Sequence, residues 1–358
     1  MAKLKIGIVG CGGIANSKHL PSVKHTELAD VTAFCDLVAE RAETSAKEFG
    51  TPDAKVFTDY RELLKLDLDA VYVCTPNRSH SEIAVAALES KKHVMCEKPM
   101  AINYPEALKM TEAAKRSGKL LTVGYQNRYR ADTIFLKQEC VAGALGDIYY
   151  AKARSVRRRA VPTWGVFLNE YEQGGGPLID VATHSLDLVL WLMDNYTPKT
   201  VTGVTFHKLN GETAPGNAWG PWDTAKFTVE DSGFGFVVME NGAAIQIESS
   251  WALNTLEMGE PLALLCGTKG GADMMDGLRI NGVRHDRQYV TKPDFGARGV
   301  DFYEGETVTP QIREQMTFLG AVMGNNELVV LPEQAMGVTR ILDAVYESAK
   351  TGRQVVFE

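Results

Sequence analysis

Through the first third of the chain, apolar residues come in short unbroken runs separated by stretches with helical periodicity. The runs at 4–9, 31–35, 55–57, 70–74, 93–96 and 120–124 have strand length, and the stretches at 39–49, 60–66, 79–90 and 104–117 read as helices. A strand buried on both faces reads as continuous rather than alternating hydrophobicity. Strands alternating with helices predict parallel βαβ units with right-handed crossovers. Six of them complete a doubly wound, Rossmann-type sheet over 1–126.

Beyond 126 the pattern changes. A helix at 131–141 leads into a long strand at 148–158, and a Gly-rich loop precedes a very apolar helix at 177–193. Runs rich in Val, Thr and Phe follow at 201–209, 224–230, 235–240, 243–251 and 263–267, and two helices close the chain at 311–323 and 332–350. Strands with few helices between them predict an α+β domain over 127–358 with an open, largely antiparallel sheet. Such a sheet must bury its second face. Pairing with further copies of the chain, as a homodimer or homotetramer, is the usual remedy.

A length of 358 residues fits two domains better than one. The net charge of −7 argues against a nucleic-acid or anionic-membrane partner. No apolar run has bilayer-spanning length, and a strand that starts by residue 4 leaves no room for a signal peptide, so the protein is expected in the cytoplasm. Cys11, Cys35, Cys74, Cys96, Cys140 and Cys266 form no C-x-x-C pair and read as small core residues of a reducing compartment.

The first strand runs directly into Gly10-Cys11-Gly12-Gly13-Ile14-Ala15. Gly10 permits a tight turn, Gly12 lets a pyrophosphate approach the backbone, and Ala15 lets helix and strand pack closely. Gly13 and Ile14 open a helix whose N-terminus offers free N–H groups to the phosphates. Asp36, at the end of the second strand, stands where a carboxylate takes both ribose hydroxyls and repels a 2′-phosphate. Leu37 offers no compensating cation. NAD is therefore favoured over NADP.

Two further stretches lie at carboxyl ends of predicted strands, where ligands bind in open α/β sheets. Thr75, Pro76, Asn77 and His80 follow the fourth strand, and Glu97-Lys98-Pro99 follows the fifth. A lysine in that position can favour the alkoxide of a substrate hydroxyl. A cis Lys98-Pro99 bond would aim it into the cleft. In the apolar helix at 177–193, Asp180, Thr183, His184 and Asp187 share one stripe at helical spacing, which places a carboxylate beside an imidazole. That pairing sets the ring's tautomer and raises its basicity.

Taken together, Gly10, Gly12 and Ala15, Cys74-Thr75-Pro76-Asn77 with His80, Glu97-Lys98-Pro99, and Gly175-Gly176 followed by Asp180 and His184 resemble the glucose-fructose oxidoreductase, inositol dehydrogenase and rhizopine-catabolism family (Gfo/Idh/MocA). The resemblance spans essentially the whole chain. It implies NAD(P)-dependent hydride transfer at a secondary alcohol carbon of a sugar, glycoside or cyclitol. Lys98 and His184 match the family's catalytic pair and Asp180 its supporting carboxylate.

The loop at 154–171 matches no substrate loop of known specificity. Strand alternation lets either Arg157 and Arg159 or Arg158 alone reach one cleft, and Trp164 or Tyr171 could stack on a sugar ring. A redox-neutral glycoside-cleaving enzyme and a non-catalytic NAD sensor are the rival readings. No third histidine or cysteine stands at ligand spacing to Asp180 and His184, so no metal is expected.

Overall fold

The computed structural model describes residues 3–212, 216–295 and 308–357. The chain divides into two compact units, Met1–Tyr129 with Thr307–Met336, and Arg130–Glu306 with Gly337–Glu358.

The first unit carries six strands: β1 (Leu4–Val9), β2 (Ala29–Cys35), β3 (Gly50–Phe57), β4 (Ala70–Val73), β5 (His93–Cys96) and β6 (Leu121–Val123). They form one sheet in the order β3-β2-β1-β4-β5-β6, and every neighbouring pair is parallel. The strand order reverses between β1 and β4, and in such sheets the crevice at the reversal is where ligands lie. Ile6, Ile8, Phe34, Tyr72 and Met95 are buried in its core, as the unbroken apolar runs require.

Phe318 and Leu319 belong to that same core. They lie on the helix Pro310–Val322, which the sequence pattern assigns to the second domain. The reason for the difference is burial: this helix packs its apolar side among strands laid down almost three hundred residues earlier.

The second unit contains β7 (Ile148–Val156), β8 (Pro198–Phe206), β9 (Ser232–Met239), β10 (Ala244–Ser250), β11 (Gly259–Gly267), β12 (Gly270–Asp273), β13 (Arg279–Arg284), β14 (Arg287–Thr291) and β15 (Val355–Val356). Their order is β14-β13-β12-β11-β7-β10-β9-β8-β15. Only β7 and β10 run parallel; all other pairs are antiparallel. The helix Thr183–Met193 packs on β7 and β11 and is buried along nearly its whole length.

Two expectations need correction here. The run at 224–230 is an irregular loop, although Phe227 and Val229 are buried. Its apolar residues fill a cluster with Trp222 and Trp251 instead of pairing in the sheet. Strand β7 stops at Val156, two residues short of the expected end at 158, because the chain turns once the Arg157 N–H has bonded the Ser250 carbonyl at 2.9 Å.

Candidate active site

In the first unit the glycine turn closes on its neighbours. Gly10 has φ +93°, and a Cβ there would come within 2.6 Å of the Cys74 carbonyl, so no larger residue fits. In front of Gly12 and Gly13 nothing lies within 4 Å of where a Cβ would stand. Past the turn the chain continues as a π-helical segment, Ala15–His19, and then a helix, Leu20–Thr26. Ile14, the residue before this segment, is partly exposed.

Asp36 is tied to both sides of the crevice: its Oδ2 accepts the Cys11 N–H at 2.9 Å and its Oδ1 the Val38 N–H at 2.9 Å. The carboxylate is thus oriented by backbone before any ligand arrives. At the end of β4 the Thr75 hydroxyl is buried without a partner among the described residues, Pro76 is exposed and Asn77 buried. Open space before two glycines, a fixed carboxylate and an unpartnered hydroxyl together suit a dinucleotide.

His80 lies between two backbone turns. Its ring is fully buried, with Nδ1 2.8 Å from the Pro99 carbonyl and Nε2 2.9 Å from the Thr75 carbonyl. Burial lowers its pKa while the two carbonyls work against that. Both ring nitrogens face backbone carbonyls, so His80 is packed between the Thr75 turn and the Lys98-Pro99 turn. The Lys98-Pro99 bond is cis, as the sequence predicts.

Glu97 is likewise turned inward. Its Oε1 accepts from Lys18 Nζ and His19 Nε2, both at 2.7 Å, and its Oε2 from the Lys98 backbone N–H at 3.0 Å. Burial works to raise its pKa, but the Lys18 ammonium and the His19 bond overcome this and hold it well below the carboxylate range. Lys18 also reaches Glu314 Oε2 at 3.0 Å, and Gln315 Nε2 lies 3.2 Å from His19 Nδ1. Burial, and after it Glu97, push Glu314 up to about 7. Sequence reasoning missed this cluster, since nothing local links Lys18 to a glutamate on the helix Pro310–Val322.

In the second unit, the predicted helix at 177–193 begins as a π-helical turn, Leu178–Ala182, and becomes α-helical at Thr183. The simple 100° stripe therefore does not extend back to Asp180. Asp180 is almost fully buried, and its Oδ2 accepts the Trp251 indole N–H at 3.0 Å. His184 is half-buried at the start of the α-helical part.

Glu230, another residue sequence reasoning missed, anchors the start of this element. It accepts the Gly176 N–H at 2.8 Å, the Leu178 N–H at 3.1 Å and the Tyr346 hydroxyl at 2.8 Å. Burial raises its pKa to about 7. A Cβ at Gly175 would collide with the Tyr346 hydroxyl, and one at Gly176 with the Glu230 carbonyl. That close approach is the reason for the paired glycines.

Trp164 is 51% exposed and makes edge-to-face contacts with Trp219 at 4.9 Å and Phe167 at 5.8 Å. Tyr171 stands exposed on the short helix Glu170–Gln173. Arg157, Arg158 and Arg159 all line one cleft. The alternation argument, which allowed only some of them to do so, fails because these residues lie beyond the strand.

The NAD-binding Rossmann-fold model of the Gfo/Idh/MocA oxidoreductases matches residues 4–125, and the model of their C-terminal domain matches 135–273. A D-glucoside 3-dehydrogenase of Escherichia coli is 33% identical over 353 residues, 98% of this chain and 97% of that one. The chain belongs to the Gfo/Idh/MocA family. It is an oxidoreductase with an NAD-binding Rossmann domain. An inositol 2-dehydrogenase of Salmonella typhimurium is 32% identical over 201 residues, 55% of this chain and 56% of that one. Among solved structures, an oxidoreductase domain protein from Kribbella flavida superposes with a TM-score of 0.83 at 22% identity over 99% of both chains. A levoglucosan dehydrogenase in complex with NADH gives 0.82 at 22% identity, again over 99% of both. The fold is thus shared with these structures over nearly the whole chain.

Proposed function

We propose that the protein is an NAD-dependent dehydrogenase acting on a secondary alcohol carbon of a sugar, glycoside or cyclitol. The relatives named for D-glucoside and inositol oxidation support that substrate class. The observation that carries the reading is the fixing of Asp180. A carboxylate almost fully buried, oriented by the Trp251 indole N–H four residues ahead of a half-buried histidine, is an arrangement for holding a base.

His184 takes the proton of the substrate hydroxyl, and Asp180 stabilises the imidazolium that results. Lys98 favours the developing alkoxide. NAD, when bound, supplies the hydride acceptor. Gly10, Gly12, Gly13 and Ile14 receive its phosphates, Asp36 its ribose, and Thr75, Pro76 and Asn77 the side of the crevice at β4. Glu97 and His80 act as positioning residues, holding the turn that carries Lys98 through its backbone. Trp164 provides a stacking face for the sugar ring, with Tyr171 and Arg158 at its edge.

Six free cysteines, four of them buried in the first unit, support a reducing compartment, the cytoplasm. Exposed Val204, Phe206 and Phe236 on β8 and β9 support a homodimer or homotetramer formed through the open sheet.

The test is NADH formation across glucosides, free sugars, inositols and short aliphatic alcohols. Turnover of the carbohydrates is expected, with His184→Asn and Lys98→Met each lowering kcat by about 10²-fold or more and leaving NAD affinity in place. Turnover confined to small alcohols would remove the carbohydrate reading.

A further inference from the structure

Beyond Val156 the chain turns and, together with Met258, Gly259 and Glu260, lines an open cleft of about 410 Å³ in the second unit. Its lining holds three arginines and one carboxylate. Arg157 is satisfied: its Nη2 lies 2.6 Å from Glu260 Oε1, and the Trp219 ring lies 5.4 Å from its guanidinium. The carboxylates nearby are engaged elsewhere, Glu248 and Glu257 with Arg154 at 3.3 and 3.2 Å. Arg158 and Arg159 have no carboxylate partner among the described residues. Arg159 Nη1 is moreover buried without any acceptor.

A buried guanidinium N–H without an acceptor costs free energy that an anionic oxygen recovers. Val156, Ala160 and Met258 give the cleft apolar walls, which strengthen the attraction between its cations and an anion. The local charge also opposes that of the whole chain, which is −7.

The cleft stands beside the residues assigned to catalysis in this unit. Strands β7 and β10 run parallel and end side by side. The Ala160 N–H donates to the Trp251 carbonyl at 2.9 Å, and the Trp251 indole donates to Asp180. Trp219, which packs on Trp164, lies against Arg157 of the same cleft.

We propose that this cleft binds an acidic substituent of the substrate, a phosphate ester or carboxylate on the sugar, through Arg158 and Arg159. The inference rests on the carbohydrate dehydrogenase reading and narrows its substrate class. A guanidinium–oxyanion bond contributes enough for about tenfold in affinity.

The experiment has two arms. Steady-state NADH formation is measured for glucose, glucuronate and glucose 6-phosphate with wild type, R158M and R159M, and inorganic phosphate binding is measured by calorimetry on the same proteins. Arg158 is exposed, so R158M tests the cleft without disturbing the core. An anionic sugar is expected to exceed glucose in kcat/KM by about tenfold or more in wild type, and that ratio is expected to fall toward one in both variants. Preference for the phosphate ester alone or the uronate alone identifies which acid is used. Saturable phosphate binding that weakens in R158M supports the site even where no sugar is oxidised, an outcome that would overturn the dehydrogenase reading instead. Equal kcat/KM for neutral and anionic sugars, with no saturable phosphate binding, overturns the proposal.

Discussion

Lys18 lies in the interior of the first unit between Glu97 at 2.7 Å and Glu314 at 3.0 Å. One ammonium cannot neutralise two buried carboxylates, and Glu314 carries the consequence: its Oε1 has no partner and its pKa stands at about 7 against an ordinary 4.5. Because the folded value is the higher one, the folded state holds a proton that the unfolded state releases as pH rises above about 4.5. This group's contribution to stability is full below that pH and is lost as pH rises through about 7. Gln imitates the protonated side chain. We therefore expect wild type to lose thermal stability relative to Glu314→Gln across that window, by an amount on the order of 1–3 kcal/mol at its upper end. Parallel melting curves for the two proteins would check this, and a difference in Tm that does not change with pH would count against it. Lys98 is affected indirectly, since its backbone N–H is held by Glu97.

At the scale of elements, the turn that launches the helix Thr183–Met193 is wedged between Glu230 and Tyr346. Gly176→Ala presses a methyl group against the Glu230 backbone carbonyl. It is expected to cost about 1–3 kcal/mol in urea unfolding and to lower kcat by shifting Asp180 and His184. Unchanged kcat in a destabilised protein would separate the turn from the site.

The same element marks where sequence reasoning stops. Gly175, Gly176, Asp180 and His184 stand together in sequence, so the element and its candidate residues could be read directly, as could β1 to β6 from their unbroken apolar runs. Trp251 and Glu230 could not, because their bonds to this helix span 71 and 54 residues. Strands β12 to β14 escaped notice because segments such as Arg279-Ile280-Asn281-Gly282-Val283-Arg284 are short and polar. The run at 224–230 misled for the opposite reason. Its alternating burial is genuine, yet Phe227 and Val229 serve a cluster around Trp251 and not a ladder.

On the scale of the whole molecule, the open sheet presents Val204, Phe206 and Phe236 to solvent, with Phe206 edge-to-face on Phe234 at 6.1 Å. Isolated exposed apolar residues are ordinary, but a contiguous patch on adjacent strands calls for a cover. Phe236→Glu is expected to convert an oligomer to monomer in light scattering with the fold retained by circular dichroism. A monomeric wild type would remove the proposed assembly.

The helix Pro310–Val322 gives the first unit a feature that bears on how the chain is made. Phe318 and Leu319 complete a core otherwise drawn from the first hundred residues, and Glu314 of the same helix lies 3.0 Å from Lys18. During vectorial synthesis the nucleotide-binding sheet leaves the ribosome well before these residues are translated, and it waits with an apolar gap. A fragment ending at 129 should therefore bind the dye ANS and precipitate, and a separately added peptide covering 307–336 should reduce both. The segment would then act as an intramolecular chaperone, coupling completion of the cofactor-binding unit to synthesis of a segment some two hundred residues beyond its sheet.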